Sequence, residues 1–356
     1  MIKLLASSTS LTTVVLTSLL LSACGGSSSS LDSNNTELNI AATEVIDNTI
    51  IPAANRFQQQ VESLVDESES FCTSGNITTD NLALLQDQWI NTNLAWYELL
   101  PYLFGPMINS EVLPTYIFID YHRQRGDIDL STIRGNIDTL IASSDDASYE
   151  STLSNLGANS LGLLALETAL FEDAASQSTI ATDIATEFQN MPRKCQLLID
   201  FGNKVLVRAE SIQQGWSTDY RDTGISYRDL VINGQLEDVL DDEAGDSAVE
   251  KITVAVQEFY DYLGKRDVTI NVAQLSSSVW SALEASLEST EELLAGTSST
   301  TISFNSIMEN NRFEQTVVDI DANMQVFRTA VDENNTVDMQ AAAKILDGNF
   351  KREVPD

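Results

Sequence analysis

The sequence predicts an all-α protein built as two helical-bundle halves, and three observations carry the prediction. Apolar residues recur at steps of three and four along nearly every segment, no long segment alternates with period two, and the breaks between stripes look like helix ends. Ile50, Ala54, Phe57, Val61 and Leu64 form one such stripe, and Leu82, Leu85, Trp89, Trp96 and Leu103 the next. Leu198, Phe201, Val205, Ala209, Ile212 and Trp216 repeat it, as do Ile252, Val256, Phe259, Leu263 and then Trp280, Leu283, Leu287, Leu294. Phe313, Val317, Ile320, Met324, Phe327 and Val331 hold the period longest.

In chain order, residues 1–23 read as a secretory signal: a single basic residue, Lys3, then an apolar run, then the ending Leu21-Ser22-Ala23-Cys24. That ending resembles the bacterial lipobox, which implies cleavage before Cys24, acylation of the cysteine and anchoring in a membrane. Gly25 after it resembles lipoproteins forwarded to the outer membrane. Residues 24–38 read as a flexible tether, because Ser and Asn dominate and apolar residues are few.

The N-terminal bundle is predicted over 39–220. Thr79-Asp80 is read as the cap of its second stripe, and Pro101 and Gly105-Pro106 as its stop. Tyr116-Ile117-Phe118-Ile119 is apolar enough for a strand or a buried helix and too short to separate them. Residues 221–248, where the pattern lapses and Asp238, Asp241, Asp242, Glu243 and Asp246 cluster, read as an acidic linker or excursion. The C-terminal bundle is predicted over 249–356, with Gly296 ending the Trp280 helix.

Composition narrows function. A net charge of −34, from 19 Lys+Arg against 53 Asp+Glu in 356 residues, excludes nucleic acid as a partner and sets the chain against anionic lipid. One histidine, His122, excludes metal centres built on several imidazoles. No Gly-x-Ser-x-Gly elbow and no His-Glu-x-x-His occur, and the acidic stretch lacks the ligand spacing of an EF-hand, so weak cation association is the most it suggests. Beyond Cys24 the cysteines are Cys72 and Cys195; an even count in an exported chain argues for a disulfide, with two separate buried thiols as the alternative.

Several segments, taken in order, resemble one family. They are Ile50-Ile51-Pro52-Ala53-Ala54-Asn55-Arg56-Phe57 with Phe71-Cys72, then Trp89, Trp96 and Phe104-Gly105-Pro106. Gly162-Leu163-Leu164-Ala165-Leu166-Glu167-Thr168-Ala169-Leu170-Phe171 follows, then Cys195 through Trp216 and the Trp280–Gly296 helix. Together they are similar to the imelysin-like proteins, secreted bacterial proteins that are often lipoproteins and were classed historically as peptidases. The resemblance implies two helical bundles related by duplication, a site near their junction, and a link to iron uptake through partner proteins or a small ligand. The family motif is Gly-x-His-x-x-Glu, and this chain has Gly162 and Glu167 but Leu164 at the histidine position. Residues three apart on a helix share a face, so His and Glu there could hold a metal, whereas leucine has no lone pair to offer. The expectation is a non-catalytic binding protein, with a metal-dependent peptidase or other hydrolase as the alternative.

The candidate ligand-binding residues follow. Glu167 is set among leucines and needs donors or a raised pKa. Asp120 and Arg123, in the segment the resemblance matches to a loop near the site, are candidates to orient a ligand or to pair with Glu167. His122 lies between them. Trp96, seven residues from Trp89 on a stripe shared with leucines, is a core residue or a ligand platform.

Overall fold

The structure, a computed structural model, describes residues 28–73, 75–108, 113–121, 130–174, 176–240, 247–270 and 272–350. Among them there is no strand, and no helix is long and apolar enough to cross a membrane. The signal segment and Cys24 lie outside the described residues.

Helix α1 spans Ser28–Val45 and continues through a π turn, Ile46–Ile50, into α2, Ile51–Phe71. The stretch predicted as tether is therefore helical from Ser28 onward. Leu38, Ala41, Ala42 and Val45 are all buried at helical spacing, and that stripe extends the helix upstream of the first one read from the sequence. Pro52, which has no N–H to donate, sits in the first turn of α2 directly after the π turn. Helix α3 spans Thr79–Leu99, and its cap is Thr78, one residue before the predicted pair: the Thr78 hydroxyl accepts the Asn81 N–H at 3.2 Å. Pro101 ends it in a 3-10 turn, Leu100–Tyr102. Two further 3-10 turns, Gly105–Met107 and Thr115–Phe118, follow, so the strand-like tetrapeptide is mostly a helical turn buried against the body.

The first half is completed by α4 (Leu130–Ile141), α5 (Asp146–Ser154), α6 (Leu163–Phe171), α7 (Ala181–Asn190) and α8 (Pro192–Ser217). Helix α2 packs between α3 and α8. Cys72, at the end of α2, is disulfide-bonded to Cys195 in the first turn of α8, with the Cα atoms 5.7 Å apart.

The stretch 221–248 is more than a linker. It holds α9 (Tyr227–Ile232) and α10 (Leu236–Val239). Tyr227 is fully buried, edge-on to Trp216 at 5.2 Å and to Phe104 at 6.1 Å between ring centroids. Helices of six and four residues are too short for a period to show. Asp241, Asp242, Glu243 and Asp246 lie outside the described residues.

The second half consists of α11 (Ala248–Lys265), α12 (Val279–Ala295), α13 (Phe304–Asn310), α14 (Glu314–Asp332) and α15 (Thr336–Phe350). Val317, Ile320, Met324, Phe327 and Val331 of α14 are buried as their spacing predicts, each contributing about 1.5–3 kcal/mol of transfer free energy before entropy is subtracted. Helix α11 packs on α15, and α14 on both α12 and α15.

The halves share one continuous core, and α3 lies against α12 across the junction. There Tyr102 Oη donates to the Ser289 carbonyl at 2.7 Å, with both residues buried. At the rim Glu44 accepts the backbone N–H groups of Thr301 at 2.7 Å and Ile302 at 3.1 Å.

Candidate functional site

Helix α6 carries the central motif and is buried along nearly its whole length, which is why its sequence is apolar all round rather than striped. Its start is set by Gly162, whose φ is +82°. A Cβ there would lie 2.3 Å from the Ile119 carbonyl oxygen, so both the conformation and the space require glycine. The close approach lets Leu163 N–H donate to that same carbonyl at 2.9 Å, tying α6 to the segment that leads into Asp120. Helix α3 fixes the remaining ends: the Trp89 indole donates to the Leu163 carbonyl at 3.1 Å, and the Gln86 side chain donates to the Leu170 carbonyl at 2.8 Å.

Held in this way, α6 aims its one charged residue, Glu167, at the second half. The carboxylate is 0% exposed and is met by the loop preceding α12. Ala273 N–H donates to Oε2 at 2.9 Å, while Ser276 donates both its N–H and its hydroxyl to Oε1, each at 2.9 Å. The Ser276 hydroxyl lies 2.9 Å from that of Ser278. The loop adopts strained backbone to present these donors, with φ of +71° at Ala273 and +58° at Ser277. Burial pushes the Glu167 carboxyl up to about 7, and the hydrogen bonds from Ser276 and Ala273 work in the opposite direction.

Leu164, at the histidine position of the motif, is 2% exposed and packs in the core. The described residues do not fit a metal here. Leucine cannot ligate, both Glu167 oxygens already accept hydrogen bonds, and among the described residues no group of three or more His, Cys, Asp or Glu could hold an ion.

Asp120 is buried near the start of α6, and its Oδ2 accepts the Trp96 indole N–H at 3.4 Å. Trp96 is itself fully buried, with its ring 5.0 Å from that of Phe57. Trp96 thus belongs to the core and holds Asp120. Glu167 takes donors from Ala273 and Ser276; Arg123 and His122 lie outside the described residues. The Ala273–Ser278 loop is the part the sequence did not point to. Its Ser276-Ser277-Ser278 run offers capping hydroxyls, but nothing links it to a residue more than a hundred positions away.

A peptidase family model described as Imelysin matches residues 50–356. Comparison of the sequence with curated proteins gives no match. Among the solved structures that share the fold are the following two. One is a protein from Parabacteroides distasonis designated an iron-regulated protein A precursor, with a TM-score of 0.62, 13% identity, and coverage of 88% of this chain and 93% of that one. The other is an imelysin-like protein from Psychrobacter arcticus, with a TM-score of 0.62, 16% identity, and coverage of 88% and 91%.

Proposed function

The chain belongs to the imelysin family, and on that premise we propose that it is a non-catalytic binding protein of the cell envelope, lipid-anchored at Cys24, that supports iron uptake. The observation that carries the non-catalytic reading is the state of the motif. Leu164 stands where the family has histidine, and the Glu167 carboxylate is occupied by donors of this same chain. A group so engaged serves to join the two halves rather than to activate water on a metal. The iron connection rests on the family and on the designation of the Parabacteroides relative as iron-regulated. The anchor rests on the lipobox-like ending at Cys24, and Gly25 favours the outer membrane.

Calorimetry on the purified chain lacking its lipid tests the reading. Titration with Fe²⁺ or Zn²⁺ should give no stoichiometric binding tighter than about 1 μM. Tight binding that Glu167→Ala abolishes, or peptide cleavage that a chelator abolishes, would instead support the hydrolase. In cells, deletion of the gene should slow growth only when iron is chelated, and Cys24→Ser should release the protein from the membrane fraction.

A further inference from the structure

Away from Glu167, the outer face of α8 carries a groove whose lining combines charge and apolar surface. Its volume is about 550 Å³, within the range of small-ligand sites. Its apolar wall comprises Phe118, Leu153, Leu156 and Leu161, all half-buried, and its basic groups are Lys204 and Arg208. The two cations are four residues apart, so they share one face of the helix. None of Glu167's partners lines this groove.

Among the described residues, these two cations differ in their pairing from seven other bases. Arg56, Arg134, Arg193, Lys194, Arg228, Lys265 and Arg328 each sit in an ion pair, as a surplus of carboxylates makes easy. Among the described residues neither Lys204 nor Arg208 has a carboxylate within ion-pair distance. The Arg208 guanidinium instead lies over the Phe118 ring, 4.5 Å from its centroid, which places the cation at the groove wall. Asp200 also lines the groove, and its Oδ2 is engaged by the Tyr149 hydroxyl at 2.8 Å. Two cations and one carboxylate leave the lining with one net positive charge on a protein of net −34. Such a spot attracts a single negative charge, and the apolar wall rewards a hydrophobic body attached to it.

We propose that this groove binds a small amphiphilic organic anion, a carboxylate on an apolar body, with Arg208 and Lys204 taking the carboxylate and Phe118, Leu156 and Leu161 the body. The site is independent of the reading given for Glu167 and survives if that reading fails.

The test uses 2-naphthoate as the probe, followed by calorimetry and ligand-observed NMR. The neutral isostere 2-naphthylmethanol and inorganic phosphate are the comparison probes. Naphthoate should bind saturably with Kd on the order of 10–500 μM, and at least about tenfold more weakly when 0.5 M NaCl is added. Arg208→Gln and Lys204→Glu should each weaken binding by about fivefold or more, since each removes a charge-assisted contact. Both residues lie on the surface of α8, and unchanged thermal unfolding would show that the variants fold. Phosphate binding as tightly as naphthoate, or the alcohol binding as tightly, would overturn the amphiphile assignment. Absence of saturation by 10 mM naphthoate, or binding indifferent to both substitutions, would overturn the site.

Discussion

Ser276 donates both its backbone N–H and its hydroxyl to one oxygen of Glu167, each at 2.9 Å, across 109 residues of sequence. The motif glutamate of the first half is thereby held by the loop that launches α12 in the second. With Ala273 N–H on the other oxygen, the carboxylate is the acceptor for two N–H groups of a strained loop, one buried and one half-buried.

Removing that acceptor should be costly. Glu167→Ala leaves the Ala273 and Ser276 N–H groups without a partner and opens a cavity, so we expect a loss of about 3–5 kcal/mol in urea unfolding. Glu167→Gln keeps the volume and one carbonyl oxygen and should lose about 1–3 kcal/mol. Equal stability of the wild type and the Ala variant would remove the latch from the account.

The same carboxyl predicts a pH dependence of unusual sign. Its pKa is raised from 4.5 to about 7 on folding, so between those values the folded state binds more protons than the unfolded state. Stability from this group is therefore full below about pH 4.5 and declines as pH rises to about 7, by up to about 3 kcal/mol, then levels off. Urea midpoints of wild type against Glu167→Gln, taken from pH 5 to 8, isolate the effect: the wild type should lose ground to the variant as pH rises.

Restoring the family histidine should not restore a metal site. Leu164 is 2% exposed in the core, and Leu164→His places a polar ring there, costing about 1–3 kcal/mol. A metal bound by the folded state would raise the unfolding midpoint of this variant, and with 1 mM ZnCl₂ we expect no rise, because Glu167 is engaged elsewhere. A clear zinc-dependent rise would mean that the loop yields its hold.

Opening the disulfide should weaken the first half. The bridge spans 123 residues, and closing so long a loop in the unfolded chain contributes about 4–5 kcal/mol in the entropy model. The double variant Cys72→Ser with Cys195→Ser should lose stability of that order, and the wild type without reductant should show no thiol that reacts after denaturation, Cys24 aside.

The long amphipathic helices were legible in the sequence because one exposed face forces a period, as Val317, Ile320, Met324, Phe327 and Val331 show. Where burial is complete or the helix short, the period vanishes: α6 is apolar on every side, and α9 and α10 end within two turns. At the site, Glu167 stood out as one charge among leucines, but its partner did not. Ala273 acts through a backbone N–H, and every residue except proline carries one, so nothing in its identity could mark it. The Thr78 cap shows the same limit on a smaller scale, since neighbouring threonines 78 and 79 are equally good caps and only the entry angle of the chain selects one.

The Cys72–Cys195 bridge also bears on how the protein withstands cutting. The loop it closes holds α3 through α7 and the turn into α8, including Gly162, Glu167 and Asp120. A protease that severs one peptide bond anywhere between the two cysteines yields two polypeptides that stay covalently joined, with α2 and α8 still locked together on either side of the cut. Such a nicked molecule migrates as a single species without reductant and as two fragments with it, so the protein keeps its site-bearing segment attached after a first cleavage.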